Sequence, residues 1–398
     1  MRARSDGRRG EPGGVKILFI HPFGIGDVIF SLAAAEALAA RGHSIDYLCN
    51  ERTEDLLRLC PRVRKTHRFD RSAIRADLAR RPWAALARYA KLKRGLAAEK
   101  YDAVLDFSMG REYAFLAWWA GIRRRIGWDY KGRGWWLTDR VRVEGFDDRS
   151  PREFAMDLAR IADPAVGTRT VYPALDLRAA EAAAGRWAAE LAGAAGPRIV
   201  LAPGGGESWG KDAHYKRWPE GSWAELVRML IRDTRANVIV LGSKTEEDLV
   251  RSVTGKLFLN ANTVVPSAVK ASFASAGPVS PTGPADQTRV ISVIGEPLDR
   301  VLALLAGARV FVGTDGGLLH LANLVGTPSV GIYGPVSETG YAPLPTAAPS
   351  TLVTADVPCR PCYRRFRFTG CAHEKRCLTS ITPEEVATAI QTTLLEEQ

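Results

Sequence analysis

The stretch Val15–Phe30, VKILFIHPFGIGDVIF, decides the fold class. It joins a short apolar run, Val15–Ile20, to a glycine-rich turn and then to a helical pattern that is apolar nearly all round, Val28–Ala40. An apolar run of this kind predicts a strand buried on both faces, as in a parallel sheet covered by helices. The turn between strand and helix lies where parallel sheets bind their ligands.

The alternation of strand and helix continues through both halves of the chain. Further strands are predicted at Ser44–Leu48, Ala103–Phe107, Arg198–Ala202, Asn237–Leu241, Arg309–Val312 and Ser329–Tyr333, and further helices at Trp83–Ala98, Glu112–Ala120 and Glu220–Thr234. Such βα units build parallel sheets, and 398 residues exceed the usual size of one hydrophobic core. We therefore predict an α/β protein with two Rossmann-like domains, 15–175 and 197–380, that face each other across a cleft.

Four other segments carry weaker predictions. Residues 1–14 are expected to be a flexible leader, and 176–196, an Ala-rich stretch bracketed by prolines, is the predicted linker. Residues 255–289 have neither helical nor strand period and are expected to be a loop, either functional or disordered. Residues 381–398 are predicted to form a C-terminal helix that can pack back on the N-terminal domain.

Composition excludes some classes of protein and favours others. Hydrophobic residues make up 46% of the chain, but no apolar run reaches the roughly 20 residues of a membrane-spanning helix, and no secretory signal is recognisable. A cytoplasmic location, with peripheral association at the inner membrane, is predicted. The net charge is +11, and 58–100 is its most basic part. Such a surface suits nucleic acid, an anionic membrane leaflet or a phosphorylated glycolipid, the alternative being a solvated helical face.

Asp27 is the first candidate for chemistry. Gly24 and Gly26 resemble the start of a dinucleotide fingerprint, but Ile29 stands where the third glycine belongs, which disfavours a nicotinamide enzyme. The turn instead delivers a carboxylate to the cleft at the start of the helix. The helix dipole keeps the carboxylate ionised there, so it can accept a proton from an attacking hydroxyl. The alternative is that Asp27 only caps the helix.

Two glycine turns in the second half predict a phosphate site. Gly205, in Pro203–Gly206, exposes backbone N–H groups after a strand, and Lys216 adds a positive charge, unless it is only a surface lysine. The second turn brings Asp315, Gly317 and His320 to the end of another strand. Two such turns in one domain suggest a pyrophosphate held from both sides.

Four of the six cysteines lie close together near the C-terminus: Cys359, Cys362, Cys371 and Cys377. In a reducing compartment such crowding favours a metal over disulfides. Four thiolates suit a structural zinc ion or an iron centre rather than a catalytic one, and the alternative is four unligated thiols.

Together these motifs resemble glycosyltransferase family 9, the ADP-heptose:lipopolysaccharide heptosyltransferases. The resemblance is carried by Gly26-Asp27, by Lys216-Arg217-Trp218-Pro219, by Asp315-Gly316-Gly317-x-x-His320 and by Tyr333-Gly334-Pro335. It implies a GT-B fold, an inverting transfer of heptose from ADP-heptose to the lipopolysaccharide inner core, and no catalytic metal. The implied partners are a nucleotide-sugar donor and a phosphorylated glycolipid.

The resemblance also implies roles for single residues. Asp27 would be the general base. Donor-binding residues would be Gly205, Lys216, Glu246, Asp315, Gly317 and His320. The positive charge of the basic stretch, rather than a family motif, predicts acceptor binding at Arg62, Arg64 and Lys65.

Some features leave other functions open. Gly316 stands where the family usually has Ser or Thr, and the four cysteines are similar to the iron-binding finger of autotransporter protein heptosyltransferases, although more tightly spaced. The acceptor could therefore be a protein, or the donor another nucleotide sugar. A nucleic-acid-binding protein is a remote alternative, because the cysteines lack the histidine pair of a common DNA-binding finger and aromatic residues are sparse in 58–100. We therefore expect no nucleic-acid partner.

Overall fold

Two compact units make up the chain. The computed structural model describes residues 14–69, 71–178, 196–206, 209–258 and 290–396. The first unit comprises Met1–Phe23, Ser31–Val143 and Arg152–Pro173, and the second comprises Gly24–Phe30, Glu144–Pro151 and Ala174–Gln398. Two short segments from the first half of the sequence thus belong to the second unit. The predicted leader, most of the predicted linker and most of the predicted 255–289 loop lie outside the described residues.

The first unit is built on a parallel sheet of six strands in the order β3-β2-β1-β4-β5-β6. Its elements in chain order are β1 (Lys16–His21), α1 (Ile25–Ala39, whose first turn belongs to the second unit), β2 (Ser44–Cys49), α2 (Glu51–Arg58), β3 (Val63–Arg68), α3 (Arg71–Arg80), α4 (Pro82–Glu99), β4 (Ala103–Asp106), α5 (Arg111–Trp119), β5 (Arg124–Asp129), β6 (Asp139–Arg142) and α6 (Pro151–Ala162). The side chains of β1 are buried from Ile17 onward, as expected for a central parallel strand. The order reverses between β1 and β4, so this sheet has a Rossmann-type switch point.

The second unit repeats this plan, with six parallel strands in the order β12-β11-β10-β7-β8-β9. Its elements in chain order are β7 (Arg198–Ala202), α7 (Glu220–Thr234), β8 (Asn237–Gly242), α8 (Glu247–Gly255), β9 (Val290–Ile294), α9 (Leu298–Ala306), β10 (Val310–Thr314), α10 (Gly317–Leu324), β11 (Ser329–Tyr333), α11 (Glu338–Tyr341), β12 (Ser350–Thr354), the hairpin β13 (Tyr363–Arg364) and β14 (Arg367–Phe368), α12 (Arg376–Thr379) and α13 (Pro383–Leu395). Its switch point lies between β7 and β10. The predicted α/β class with two Rossmann-like sheets is confirmed.

The C-terminal helix α13 packs within the second unit. Its buried Val386, Ala389 and Ile390 belong to the same hydrophobic cluster as Val330 and Ile332 of β11. The helix begins with a capping box, in which the Thr382 side chain accepts a hydrogen bond from the Glu385 N–H. The apolar face of the helix thus covers the sheet of its own unit, and the predicted packing on the N-terminal domain stays a prediction. None of the described helices is both long and apolar enough to cross a membrane.

Candidate active site

The two glycine turns of the second unit meet at its switch point. Strands β7 and β10 are neighbours, with Ala202 opposite Gly313, so the turns that follow them lie side by side. Gly205 has φ +75°, and a Cβ there would come within 2.7 Å of Thr314 Oγ1. A Cβ on Gly316 would lie 3.1 Å from the Gly205 carbonyl oxygen. Glycine is therefore required at 205 by both conformation and space.

A buried ion pair lies beside these turns. Lys216 Nζ is 2.6 Å from Asp315 Oδ2, and the two side chains are only 6% and 9% exposed. The same ammonium lies 5.5 Å from the centre of the Trp209 ring. A pair this deeply buried is strongly destabilised when one partner is removed, because the other charge is left unpaired. The structure thus brings Gly205, Lys216 and Asp315 together, as the sequence predicted.

Asp27 belongs to the same unit, in the first turn of α1. A Cβ on the preceding Gly26 would lie 3.4 Å from Gly317 Cα and 3.5 Å from His320 Cδ2, so the Asp27 turn packs closely on the start of α10. Burial raises the pKa of the Asp27 carboxyl to about 6, partly offset by the Gly24 backbone N–H and by Lys216. Such a carboxylate is ionised at neutral pH and basic enough to accept a proton.

His320 is a neutral ring at this site. Burial lowers the pKa of the His320 imidazole to about 4, with Asp315 opposing the change and Lys216 adding to it. The ring packs edge-on against Phe30, with 4.6 Å between centroids. Its Nδ1 and the Oγ1 of Thr314 are buried without a hydrogen-bond partner among the described residues. Buried polar atoms of this kind call for a partner, and a bound ligand would supply one.

Glu246 lies against the first glycine turn. One of its carboxylate oxygens accepts a hydrogen bond from the Gly206 N–H at 3.2 Å, and the other accepts from the N–H and the hydroxyl of Ser243. A Cβ on Gly204 would come within 1.9 Å of the carboxylate. Glu246 therefore shapes the turn, whatever else it binds.

Three aromatic residues that the sequence motifs did not include also lie at this site: Trp209, Tyr341 and Tyr363. Tyr363 of the hairpin stacks on Trp209 at 4.9 Å and hydrogen bonds with Tyr341. The pKa of the Tyr363 hydroxyl rises to about 12 through burial and the charge of Asp27. The adjacent Cys362 led to the prediction of a metal site in this segment. The spacing of the cysteines gave no indication that Tyr363 would lie near Asp27.

The predicted acceptor residues lie elsewhere, in the first unit. Arg62 forms a two-pronged pair with Glu36, while Arg64 and Lys65 both bind Glu99 at 2.7 and 2.6 Å. Arg64 and Lys65 lie towards the amino end of β3, whereas parallel sheets bind ligands at the carboxyl ends of their strands. Their role in binding an acceptor stays a prediction.

The switch point of the first unit holds two polar side chains that sequence reasoning missed. His21 ends β1 and Asp106 ends the neighbouring β4, and both are buried. Burial raises the pKa of the Asp106 carboxyl to about 7, although it accepts a hydrogen bond from the Ser108 N–H at 2.8 Å. The sequence could have indicated these two residues, because each is the last residue of a strand.

The four cysteines lie in the lobe that follows β12. The Cys362 thiol contacts the Cys359 carbonyl at 3.1 Å, and the Lys375 N–H donates to Cys371 Sγ at 3.3 Å. Burial raises the pKa of the Cys377 thiol to about 11, and the other three thiols contribute to the increase. In the described ranges, no group of three or more His, Cys, Asp or Glu side chains is arranged to hold a metal ion.

Comparison with known proteins identifies the family. The model of glycosyltransferase family 9 (heptosyltransferase) matches residues 89–267 and 287–373. The chain belongs to glycosyltransferase family 9. Lipopolysaccharide heptosyltransferase 2 of Escherichia coli is a relative that is 25% identical over 396 residues, covering 96% of this chain and 100% of the relative.

Solved structures of family 9 proteins share the fold. The structure of Escherichia coli ADP-heptose lipopolysaccharide heptosyltransferase II has a TM-score of 0.71 at 22% identity and covers 96% of this chain and 99% of its own. A family 9 glycosyltransferase from Veillonella parvula has a TM-score of 0.73 at 17% identity, covering 96% and 98%. The two Rossmann-like units are thus those of a GT-B glycosyltransferase.

Proposed function

We propose that this family 9 enzyme transfers heptose from ADP-heptose to the phosphorylated inner core of lipopolysaccharide, with inversion at the anomeric carbon. The observation that carries the proposal is the Asp27 carboxylate, whose pKa is raised to about 6 beside the buried pair of Lys216 and Asp315. A base and a phosphate-binding cation thus occupy one site. The names of the heptosyltransferase relatives support the choice of sugar and acceptor.

In the proposed reaction Asp27 takes the proton of the acceptor hydroxyl. The hydroxyl oxygen forms a bond to the anomeric carbon of the donor from the side opposite the diphosphate, and the carbon–oxygen bond to the diphosphate breaks. ADP leaves with the electron pair of that bond. The attack from the opposite side inverts the anomeric configuration.

The second unit supplies the groups that hold the leaving diphosphate. Lys216 provides positive charge, and the backbone N–H groups at Gly205 and at the start of α10 provide hydrogen-bond donors. The otherwise unsatisfied Thr314 Oγ1 and His320 Nδ1 are proposed to complete the contacts to the donor. The neutral His320 ring can then donate or accept a hydrogen bond without adding charge. In this mechanism a protein cation takes the place of a catalytic metal.

The proposed acceptor implies that the enzyme works at a membrane surface. A phosphorylated lipopolysaccharide core is anchored in a bilayer, so we propose that the enzyme works as a peripheral protein at the inner leaflet. The net charge of +11 supports this choice, because basic proteins are attracted to anionic lipid.

The decisive experiment offers ADP-heptose to the purified enzyme with truncated lipopolysaccharide and, in parallel, with an autotransporter protein. We expect mass spectrometry to find heptose on the glycolipid. Asp27→Asn should lower kcat by about 10²–10⁴-fold while retaining ADP binding. The matched control is Asp299→Asn, since Asp299 is also an aspartate in the first turn of a helix.

Three outcomes would contradict parts of the proposal. Label on the protein but not on the glycolipid would transfer the enzyme to protein heptosylation. Turnover of Asp27→Asn at the wild-type rate would remove Asp27 as the base. If ADP-heptose is consumed with neither acceptor, other nucleotide sugars become the candidates for the donor.

We also propose that the four-cysteine lobe binds a structural zinc ion or iron centre. The position of the four cysteines in one short stretch of sequence supports it, together with the contribution of the other three thiols to the raised pKa of Cys377. Because the described side chains are not arranged to hold a metal ion, binding requires these thiols to move together. Metal analysis of enzyme purified without added metal should find about one bound ion per chain. Cys362→Ser should abolish this metal, whereas Cys60→Ser, at a buried cysteine of the first unit, should retain it. Absence of metal from the wild-type enzyme would end the proposal.

A further inference from the structure

The first unit exposes a cluster of large aromatic side chains, which we call the aromatic patch: Phe115, Trp118, Trp119, Trp135 and Trp136. Phe115, Trp118 and Trp119 lie on α5 and are 39%, 47% and 38% exposed, while Trp135, before β6, is 78% exposed. Soluble proteins keep few large aromatic residues in contact with water, and contiguous ones mark a binding surface.

Four of the five rings form one continuous surface, and Trp135 is next to Trp136 in the chain. Trp136 packs on Trp118 with 4.7 Å between ring centroids and on Phe115 with 5.1 Å. Phe115 in turn lies 6.3 Å from Trp119, nearly parallel to it. The α5 residues of the patch are three and four positions apart, so they share one face of the helix. These four rings are therefore part of the packed structure, since they support one another.

Positive charge surrounds the patch. The Lys93 ammonium lies 5.9 Å from the Trp119 ring, and Arg111 precedes Phe115 on the same helical face. Lys131 and Arg133 are exposed in the loop that leads to Trp135. Among the residues that the structure describes, no carboxylate forms a salt bridge with any of these four cations.

Helix α4, which carries Lys93, also exposes apolar side chains. Leu86 lies seven positions before Lys93, which places both on one helical face, and Leu86 is 55% exposed. Trp83, one turn earlier, is 80% exposed. Both residues lie in the basic stretch 58–100 that the sequence analysis identified.

We propose that the aromatic patch docks the enzyme on a bilayer of anionic lipid. Tryptophan is favoured at the level of lipid headgroups, because its ring is apolar and its N–H is polar. Lysine and arginine around such rings bind anionic headgroups. The combination matches a bilayer better than a second copy of this chain, whose own patch would present the same positive charge. The choice of membrane rests on the proposed function, but the docking is tested by binding alone.

Sedimentation of the full-length enzyme with lipid vesicles tests this proposal. We expect binding to vesicles of phosphatidylcholine with phosphatidylglycerol and much weaker binding to phosphatidylcholine alone. Trp135→Ala should weaken binding about tenfold, because the side chain is largely exposed and its loss removes apolar contact with lipid. Lys131→Glu with Arg133→Glu should weaken it about thirtyfold or more.

Two controls match these variants. Leu395→Ala removes another exposed apolar side chain, 69% exposed in the second unit. Lys100→Glu with Arg169→Glu makes the same change in net charge at exposed positions of the first unit. Both should bind vesicles like the wild type. Hydrogen exchange with vesicles present should slow in 111–119 and 130–136.

Three results would overturn the proposal. The first is equal binding of the patch variants and their controls, and the second is no binding of the wild type to either kind of vesicle. The third is a dimer in lipid-free solution that the patch variants dissociate, which would show that a second copy covers the patch. Heptose transfer to a lipid-free truncated core measures the proposed function separately, and the patch variants should retain it.

Discussion

At Asp27, burial and the Asp315 carboxylate raise the pKa, while the Lys216 ammonium lowers it, and the balance lies at about 6. A general base acts in its ionised form. We therefore predict that kcat/KM falls below about pH 6, by about tenfold for each further pH unit. The pH–rate profile of the wild type measures this limb directly.

Replacement of Lys216 tests how much this residue lowers the pKa of Asp27. Lys216→Met removes the cation and leaves Asp315 uncompensated, and both changes raise the pKa of Asp27. The acidic limb of the kcat/KM profile should move to higher pH. This shift should be seen in addition to any loss of rate at all pH values. Lys211→Met, at an exposed lysine of the same turn, should leave the limb unchanged. An unshifted limb in Lys216→Met would show that the limb does not belong to Asp27.

Asp106 makes a residue-scale prediction about stability. The pKa of its carboxyl is about 7 in the folded enzyme and about 4 in an unfolded chain. Ionising it in the folded state costs free energy, so its unfavourable effect grows as pH rises from about 4 to 7 and is complete above 7. Asp106→Asn should raise the free energy of unfolding at pH 8 by on the order of 1–4 kcal/mol.

Thermal unfolding of Asp106→Asn at pH 8 and pH 4 measures this effect. The difference from wild type should be large at the higher pH and small at the lower one. Asp157→Asn, at a partly exposed aspartate of α6, is the control and should show no such trend. A stabilisation that is the same at both pH values would show that Asp106 ionises without cost.

The first glycine turn makes a prediction at the scale of elements. Gly205 and Gly206 have nearly the same φ, +75° and +78°, but only a Cβ on Gly205 meets a neighbour, Thr314 Oγ1 at 2.7 Å. Both alanine variants should lose the strain of a positive φ, about 1 kcal/mol. Gly205→Ala should lose about 1–3 kcal/mol more and weaken ADP binding. Thermal unfolding and ADP titration of the pair check this, and equal losses would contradict it.

Strongly apolar elements could be predicted from the sequence, and half-exposed ones could not. Strand β1 was found because five of its six residues are buried. Edge strand β3, with the sequence VRKTHR, has no buried residue, so its charges were interpreted as a binding surface for acceptor. Hairpin β13–β14 was missed because two-residue strands have no period, and its Tyr363 was missed with it.

The site was predictable where the backbone alone defines it. The turns of Gly205 and Asp315 follow the neighbouring strands β7 and β10, and their position at one switch point follows from strand order. The turn of Asp27 follows β1 of the other sheet, so strand order alone does not bring it to Gly317. The Lys216–Asp315 pair and the pKa of Asp27 depend on burial by residues distant in sequence, which no local pattern encodes. The tryptophans of the aromatic patch can be read from the sequence. Their exposure to solvent cannot, because it depends on which side chains the core buries.

At the scale of the whole chain, bound ADP should stabilise the turn of Asp27 as well as the two turns that bind it. Residues 24–30 belong to the second unit, and Gly26 packs against Gly317. Bound ADP should therefore slow hydrogen exchange at the turns after β7 and β10 and also at 25–28. Residues 51–68 of the first unit provide the internal control and should exchange at an unchanged rate. Protection limited to the two turns of the second half would contradict this coupling.

The membership of residues 24–30 and 144–151 in the second unit also limits how such enzymes can be recombined. A chimera joined near residue 174 would inherit the turns of Gly205 and Asp315 from one parent and Asp27 from the other. The seam would run between Gly26 and Gly317, where even a Cβ on Gly317 would lie 3.2 Å from the Gly26 nitrogen. Under the proposed function the general base and the donor-binding turns thus come from opposite sides of residue 174, and a transplant of the second unit must carry Gly24–Phe30, Glu144–Pro151 and Ala174–Gln398.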